Sequence, residues 1–308
     1  MNILVTGGAG FIGSTIADAY IQAGHNVVVI DNLSTGRIEN VPTASSFYQM
    51  DIRDDDVYDI IHQHEIQVIN HHAAQIDVRR SVLDPKYDLS VNVLGTINLI
   101  EAGIRQGITR MIFASTGGAI YGEQDYFPAD EAHPTNPCSP YGITKLTVEK
   151  YLHYYRLEKN LTYTVLRYTN VYGPRQNPHG EAGVVAIFCD KMLKGGEAVI
   201  NGDGMQTRDY VFVDDVVAAN LLALTMDGTD TFNVCTGIES TVVDIFRHLN
   251  HALDAPVPER YGPAKPGEQR RSVCTSGKIN GALGWTPRMQ LGDGLARTLQ
   301  YFREKLSV

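Results

Sequence analysis

Cysteine is scarce in this chain: Cys138, Cys189, Cys235 and Cys274 are its only four in 308 residues, and none stands in a C-x-x-C pair. Such scattered thiols exclude a disulfide framework and a zinc knuckle, and they fit a reducing cytosol. Basic residues are also in deficit, with 26 Lys and Arg against 35 Asp and Glu for a formal charge of -9. That balance argues against a protein that tracks a nucleic-acid backbone, while leaving local basic patches open. No apolar run approaches the roughly 18 residues of a membrane span. The opening MNILVTGG lacks the charged, long apolar and cleavable regions of a signal peptide. No internal repeat, low-complexity tract or long flexible linker is visible, and none of the ten histidines has metal-ligand spacing. The expectation is a complete, cytoplasmic protein with no nucleic-acid partner, no membrane partner and no metal. What is present is ordinary for a globule, 43% apolar and 20% charged, in a chain long enough for one large α/β domain or two unequal ones.

The first half alternates short β-branched runs with longer helical patterns, the signature of a parallel sheet built from βαβ units. Strands are predicted at Ile3–Thr6, Asn26–Asp31, Phe47–Met50, Gln67–Asn70, Met111–Ser115 and Tyr163–Tyr168. After about Asn170 the loops GPRQNPHGEAG, NGDGMQTRD and GPAKPGEQRR separate shorter elements. The predicted class is therefore α/β, a Rossmann-type doubly wound parallel sheet with a smaller, discontinuous substrate-binding lobe. Residues 1–170 form the dinucleotide-binding domain, with later segments returning to it, and residues 171–308 form mainly the substrate lobe.

TGGAGFIG at Thr6–Gly13 ends a strand and opens a helix. Gly7 permits the tight turn, Gly10 lets backbone approach a pyrophosphate, and Gly13 lets helix and strand pack closely. The helix amino terminus then offers N–H donors to the phosphates. Asp31 closes the VVVIDN run 18 residues past Gly13, near the roughly 20-residue offset at which an acid meets the adenosine ribose hydroxyls. A carboxylate there repels a 2'-phosphate, which selects NAD over NADP; Arg37, the one nearby cation, reads as an exposed loop residue. Asp51 and Ile52 follow a strand as adenine-edge contacts. Ala73, Ala74 and Gln75 follow the fourth, where small side chains let backbone lie against the cofactor.

Tyr141 and Lys145 stand four residues apart in SPYGITK, on one face of a helix continued by Val148, Tyr151, Leu152 and Tyr155. A free tyrosine titrates near 10, so a base at neutral pH needs about 4 kcal/mol of help. An ammonium about 4 Å from the phenolate supplies on the order of 4 kcal/mol at an effective dielectric near 20. With sixteen tyrosines in the chain, Y-x-x-x-K alone carries little weight; the glycine turn, Asp31 and ASTGG give it context. Thr116, just past a strand end, offers a hydroxyl at the carboxyl edge of the sheet. Asp214 and Asp215 read as N-cap residues, and His71 and His72 as structural.

Together TGGAGFIG, VVVIDNLSTG, ASTGGAIYG, SPYGITK, RYTNVYGPRQNPHGEAGV, GDGMQTRDYVFVDD and PGEQRRS, spread over nearly the whole chain, resemble the extended short-chain dehydrogenase/reductase family, within it the NAD-dependent sugar-nucleotide 4-epimerases. The resemblance implies Tyr141 as base, Lys145 orienting the cofactor and tuning the tyrosine, and Thr116 in the place usually held by serine. Ser115 is the alternative, because ASTGGAIYG has one residue more than some relatives before its YG. Further NAD contacts are implied at Phe11, Ile12, Asn32, Ser34, Thr35 and Gly36, and at Asn92, Ser115, Tyr168 and Val171. For the substrate the resemblance implies Thr116, Gly117 and Asn170, then Gly183, Val184 and Val185 and, farther on, Asn201 and Gln206. Arg208 is implied at the diphosphate, with Glu268 and Arg271 nearby and Lys265 where many relatives carry arginine; lysine there keeps the charge and loses the bidentate fork.

The implied reaction removes the proton and hydride at sugar carbon 4 of a UDP-sugar, lets the 4-keto sugar turn over, and returns both to the opposite face. UDP-glucose and UDP-galactose are the expected pair, with UDP-N-acetylhexosamine or UDP-glucuronate as alternatives. Ser272, small at a position that limits the sugar pocket in the family, admits the former; hydroxyls near Thr116, or Arg175, could meet the latter's carboxylate. Dehydratase or decarboxylase chemistry is the rival within the fold. The resembling dehydratases carry an Asp-Glu pair after the active-site threonine, where this chain has Gly117 and Gly118. A non-catalytic NAD-binding protein is the rival from another class, opposed by the intact Tyr141, Lys145 and Thr116. A homodimer through helices of the Rossmann half is also implied.

Overall fold

A computed structural model describes residues 1–179, 183–264 and 269–306. The chain runs β1 (Asn2–Thr6), α1 (Phe11–Gln22), β2 (Asn26–Asp31), β3 (Ser46–Gln49), α2 (Val57–Gln63), β4 (Val68–His71), α3 (Val78–Leu83), α4 (Pro85–Leu89), α5 (Gly95–Arg105), β5 (Arg110–Thr116), α6 (Pro140–Lys159) and β6 (Thr162–Tyr168). It continues through β7 (Asn170–Tyr172), α7 (Val184–Leu193), β8 (Val199–Asn201), β9 (Thr207–Phe212), α8 (Val213–Thr225), β10 (Asp230–Val234), β11 (Glu239–Thr241), α9 (Val242–His251), β12 (Arg260–Gly262), β13 (Arg271–Ser272), α10 (Gly277–Leu283) and α11 (Leu291–Leu306). A π-helical turn, Ser90–Leu94, joins α4 to α5.

Two compact units divide this chain. The first comprises residues 1–122, 135–167 and 217–232, and the second 123–134, 168–216 and 233–308. Residues 123–134, which the sequence pattern leaves with the dinucleotide-binding half, thus belong to the second unit.

Seven strands form one sheet in the order β3-β2-β1-β4-β5-β6-β10, with β2–β3, β1–β2, β1–β4 and β4–β5 parallel. This is the doubly wound α/β architecture that the βαβ alternation predicts. The order reverses between β1 and β4, and the crevice beyond the carboxyl ends of strands at such a switch point is where ligands of this architecture bind. β1, β2 and β5 are almost wholly buried, with runs such as VVVID and RMIFAST reading as near-continuous apolar stretches, as strands covered on both faces must. Leu4, Ile30, Ile69, Phe113, Leu152 and Val165 meet in one core, each contributing about 1.5–3 kcal/mol by burial.

In the second unit β9 is the spine. It pairs with β11 antiparallel and with β13 and β7 in parallel, which sets Ser240 and Ser272 beside Arg208 and Asn170 beside Tyr210. Edge-on aromatic pairs, Phe188–Phe246 at 5.6 Å and Tyr172–Phe212 at 5.4 Å, fill its interior. Among the described residues no helix is long and apolar enough to cross a membrane, and no group of three or more His, Cys, Asp or Glu could hold a metal ion.

Candidate active site

The glycine turn after β1 fits a dinucleotide. Gly7 adopts a left-handed φ of 71°, and a Cβ there would lie 2.6 Å from the Ala73 backbone nitrogen. The β1 loop therefore packs directly on the backbone after β4. A Cβ on Gly13 would collide with the Gly7 carbonyl oxygen, so α1 can start this close to the turn only with glycine there. Gly10 is different: a Cβ would meet only the Gly7 carbonyl, leaving its outer side open for close approach of a phosphate. Gly10 is also the N-cap of α1 and supplies no side-chain cap, so the first turn, with Phe11 and Ile12, keeps its N–H groups for an anion.

Asp31, at the end of β2, is 8% exposed and accepts from the Ala9 N–H at 3.0 Å and the Leu33 N–H at 2.8 Å. Burial pushes its carboxyl up from the ordinary value, and those two N–H groups pull against the shift. Gly36 lets the Asn32–Gly36 loop close over it, since a Cβ there would come within 2.9 Å of the carboxylate; Ser34 and Thr35 lie exposed on that loop. Arg37 is half-exposed and faces Glu39 at 3.7 Å, and among the described residues no cation is paired with Asp31 to welcome a 2'-phosphate. Asp51 accepts from Arg53 twice at 2.8 Å and from Asn32 at 2.9 Å; the Arg53 guanidinium holds its carboxyl down at about 2. Ile52 turns its side chain into the core, which leaves backbone for any adenine contact. These features form a cradle suited to NAD.

The catalytic candidates sit on α6 and β5. Ser139 caps α6 by accepting the Gly142 N–H, and Pro140 occupies the first turn, where its missing N–H costs nothing. Lys145 is 4% exposed. Its Nζ donates to the Ala114 carbonyl at 2.8 Å and lies 4.7 Å from the Phe113 ring centre and 6.0 Å from that of Tyr141. Among the described residues no hydrogen bond joins the ammonium to the Tyr141 hydroxyl. Burial and the Asp88 carboxylate push the Tyr141 phenol up. Burial lowers Lys145 to about 8, against the opposing pull of Asp88 and Glu149. Burial of both groups thus opposes the phenolate and works against the help that the spacing credits to Lys145.

Ser115 and Thr116 turn to opposite faces of β5, as strand alternation requires. The Ser115 hydroxyl donates at 2.6 Å to Glu149, which accepts from Arg167 at 3.0 and 2.6 Å; Arg167 in turn donates to the Tyr121 hydroxyl at 3.0 Å. Ser115 is thus committed to a buried ionic network. The Thr116 oxygen accepts the Ala119 N–H at 3.1 Å; among the described residues its hydroxyl has no acceptor, and the buried Gly117 follows it.

A second buried network surrounds Asp88, a residue the sequence reading missed. Asp88 is 0% exposed and accepts from Gln75 at 2.9 Å, Asn92 at 3.1 Å and Thr144 at 2.8 Å. Gln75 and Asn92 also bond one another through the Gln75 N–H, at 2.8 Å, so both side chains serve this knot. Ala73 donates its N–H to the Thr6 hydroxyl at 3.3 Å, and Ala74 follows it, partly buried. One signal was available: Glu149 stands four residues after Lys145, and Asp88 four before Asn92, spacings that share a helical face. His71 bridges the hydroxyls of Thr6 at 2.6 Å and Thr96 at 2.8 Å. Burial and the Lys145 charge hold His71 and His72 far below the ordinary imidazole range, so both are neutral at physiological pH.

In the second unit, Arg208 on β9 donates to the Thr207 carbonyl at 2.7 Å. Gln206 is buried just before it, and Tyr168 is buried two residues ahead of β7, where Asn170 and Val171 are partly buried. Gly183 is the N-cap of α7, whose first residues are Val184 and Val185; Asn201 ends β8. Ser272 is buried on β13. Arg271 is exposed, pairs with Glu239 at 2.6 Å and stacks 4.0 Å over Phe127, engagements any substrate contact would have to accommodate. Arg175 takes a left-handed φ of 71°. Lys265 and Glu268 lie outside the described residues. Asp214 and Asp215 occupy the first turn of α8 rather than its cap: Asp214 pairs with Arg297, and Asp215 accepts the N–H groups of Arg288 and Met289.

Residues 3–235 match the model of the NAD dependent epimerase/dehydratase family. The UDP-glucose 4-epimerase of Mycolicibacterium smegmatis is 44% identical over 311 residues, covering 99% of each chain. Among solved structures, UDP-glucose 4-epimerase from Thermotoga maritima with UDP-glucose superposes with a TM-score of 0.97 at 47% identity, covering 99% of this chain and 100% of that one. The Thermus thermophilus UDP-glucose 4-epimerase complex with NAD gives a TM-score of 0.93 at 42% identity, covering 98% and 99%.

Proposed function

Because the chain belongs to the NAD-dependent epimerase/dehydratase family, we propose that it is a UDP-glucose 4-epimerase that interconverts UDP-glucose and UDP-galactose with NAD. The observation that carries this reading is the buried Lys145 on α6, anchored to the Ala114 carbonyl two residues before Thr116 and one helical turn from Tyr141. NAD, when bound, supplies the positively charged ring that accepts the hydride of sugar carbon 4 and gives it back.

Tyr141 takes the proton of the sugar 4-hydroxyl and later returns one. Lys145, held by Ala114, keeps positive charge beside the phenol and would hydrogen-bond the ribose of bound NAD. Thr116 donates its free O–H to the reacting sugar oxygen. Asp31 receives the adenosine ribose hydroxyls, and the Gly7–Gly13 turn receives the pyrophosphate. Asn170 and Arg208 hold the UDP-sugar by its sugar and its diphosphate. Net elimination or decarboxylation would need a further acid/base pair. Gly117 and Gly118 follow Thr116, and the nearest buried acids, Asp88 and Glu149, are engaged in protein hydrogen bonds.

The same reading includes a homodimer and a cytoplasmic location. Val82, Leu83, Leu89 and Leu94 are exposed along α3 to the start of α5, and Ile143, Tyr154 and Leu157 along α6, an apolar surface suited to a second copy. The cysteines among the described residues are all free thiols, as a reducing compartment permits.

Proton NMR of the anomeric signals tests the activity. Purified protein given UDP-galactose should form UDP-glucose to a stable ratio without accumulating NADH. Formation of a 4-keto-6-deoxy product, or inertness, would overturn it.

A further inference from the structure

Three neutral groups hold Asp88, and none of them answers its charge. Gln75 and Asn92 donate to one carboxylate oxygen, and Thr144 donates to the other. The Gln75 and Asn92 amide N–H groups can only donate, and the Thr144 hydroxyl, shared with the Tyr141 carbonyl, completes a shell suited to a carboxylate. Hydrogen bonds of this kind satisfy the oxygens, yet a buried charge without a counter-charge remains expensive. Glu149, the other buried carboxylate near the catalytic pair, has its own cation in Arg167. Among the described residues no hydrogen-bond or ion-pair partner of Asp88 is a cation. Its anchor on α6 is Thr144, the residue before Lys145, whose hydroxyl also lies 3.0 Å from the Tyr141 carbonyl oxygen. The carboxylate is thus tied to the helical turn that carries both members of the pair.

We propose that Asp88 is a positioning residue for catalysis, the buried counter-ion that keeps Lys145 protonated and fixes the pH range in which the Tyr141–Lys145 pair works. The proposal rests on Tyr141 being the base. The titratable groups acting on Lys145 are Asp88 from α4, Glu149 from α6, and His71 and His72 from β4; it also lies near Tyr141. The histidines are neutral and Glu149 is balanced by Arg167, so Asp88 carries the unbalanced charge. Its charge favours the Lys145 ammonium against burial and opposes the Tyr141 phenolate. Removing it should therefore lower the titration of both groups, the alkaline limb set by Lys145 and the acid limb set by Tyr141.

The test is the pH profile of kcat/KM for UDP-galactose in wild type and Asp88→Asn. In the variant both limbs should move to lower pH together, by about one pH unit. A profile reduced in height but unmoved would overturn the proposal, since a structural role alone predicts that result. A readout without turnover accompanies it: phenolate absorbance of Tyr141, taken as the difference from the matching Tyr141→Phe protein, should also titrate lower in Asp88→Asn. An unchanged titration contradicts the counter-ion role, whereas full activity of Tyr141→Phe would instead remove the base assignment on which it rests. Should Asp88→Asn alone fail to fold, Lys145→Met keeps the question open to denaturation. That variant strands the Asp88 charge, so adding Asp88→Asn to it should raise its denaturant midpoint; an unchanged or lower midpoint would overturn the proposal.

Discussion

In the first unit the Glu149–Arg167 pair has side chains 8% and 7% exposed, and it binds Ser115 and Tyr121 into the same network. In the second unit Arg270 and Asp203 meet at the comparable distance of 2.8 Å with side chains 63% and 57% exposed. Arg271–Glu239 and Arg247–Glu259 are likewise open to solvent on the arginine side. The same chemistry does different work in the two places. Buried charges act on one another with little screening, so they can fix a strand end and tune a phenol. Exposed pairs are screened by water and salt and trim loops at small net gain.

This contrast can be broken by substitution. The largest effect is expected at the cofactor turn, where Gly13→Ala forces a Cβ onto the Gly7 carbonyl; the purified variant should lose its NAD, measured by absorbance of the released nucleotide, and with it all turnover. Next comes Arg167→Met, which leaves Glu149 buried without a cation and should cost about 3–5 kcal/mol in chemical denaturation. Arg208→Ala tests the second unit's ligand role: KM for the UDP-sugar should rise about 10- to 150-fold, equivalent to about 1.5–3 kcal/mol, with kcat changed far less. The smallest effect belongs to Arg270→Ala, where the exposed pair should yield at most about 1 kcal/mol of stability and less in high salt. An Arg270→Ala loss as large as that of Arg167→Met would erase the distinction.

Legibility followed the range of the interactions. The six predicted strands appear within a residue or two of their expected ends because local β-branched runs determine them. β10 was not named as a strand, although later segments were expected to return to the first half: it joins the sheet beside β6 after more than sixty intervening residues, and DTFNV lacks a continuous β-branched run. The glycine turn, Asp31 and the Tyr141–Lys145 spacing were readable because each is a local pattern with a stated mechanical use. The Asp88 knot was not, since Gln75, Asn92 and Thr144 are brought together only by the packing of β4, α4 and α6. The different engagements of Ser115 and Thr116 also required structure; alternation says that they face opposite ways, and only the position of Glu149 and Arg167 says which of them meets that pair. Spacing likewise suggested that Lys145 lowers Tyr141, most of all beside a cationic nicotinamide, whereas the burial of both groups, which works against that help, is visible only in the fold.

Tyr141→Phe tests the account most directly, because it removes one oxygen from a helix whose cap, packing and Lys145 anchor are otherwise untouched. Epimerisation of UDP-galactose, followed by NMR, should fall by at least a thousandfold while the protein retains its full complement of NAD, a loss of about 4 kcal/mol or more in transition-state stabilisation. Turnover within a few-fold of wild type, with cofactor still bound, would contradict the claim that this tyrosine moves the proton.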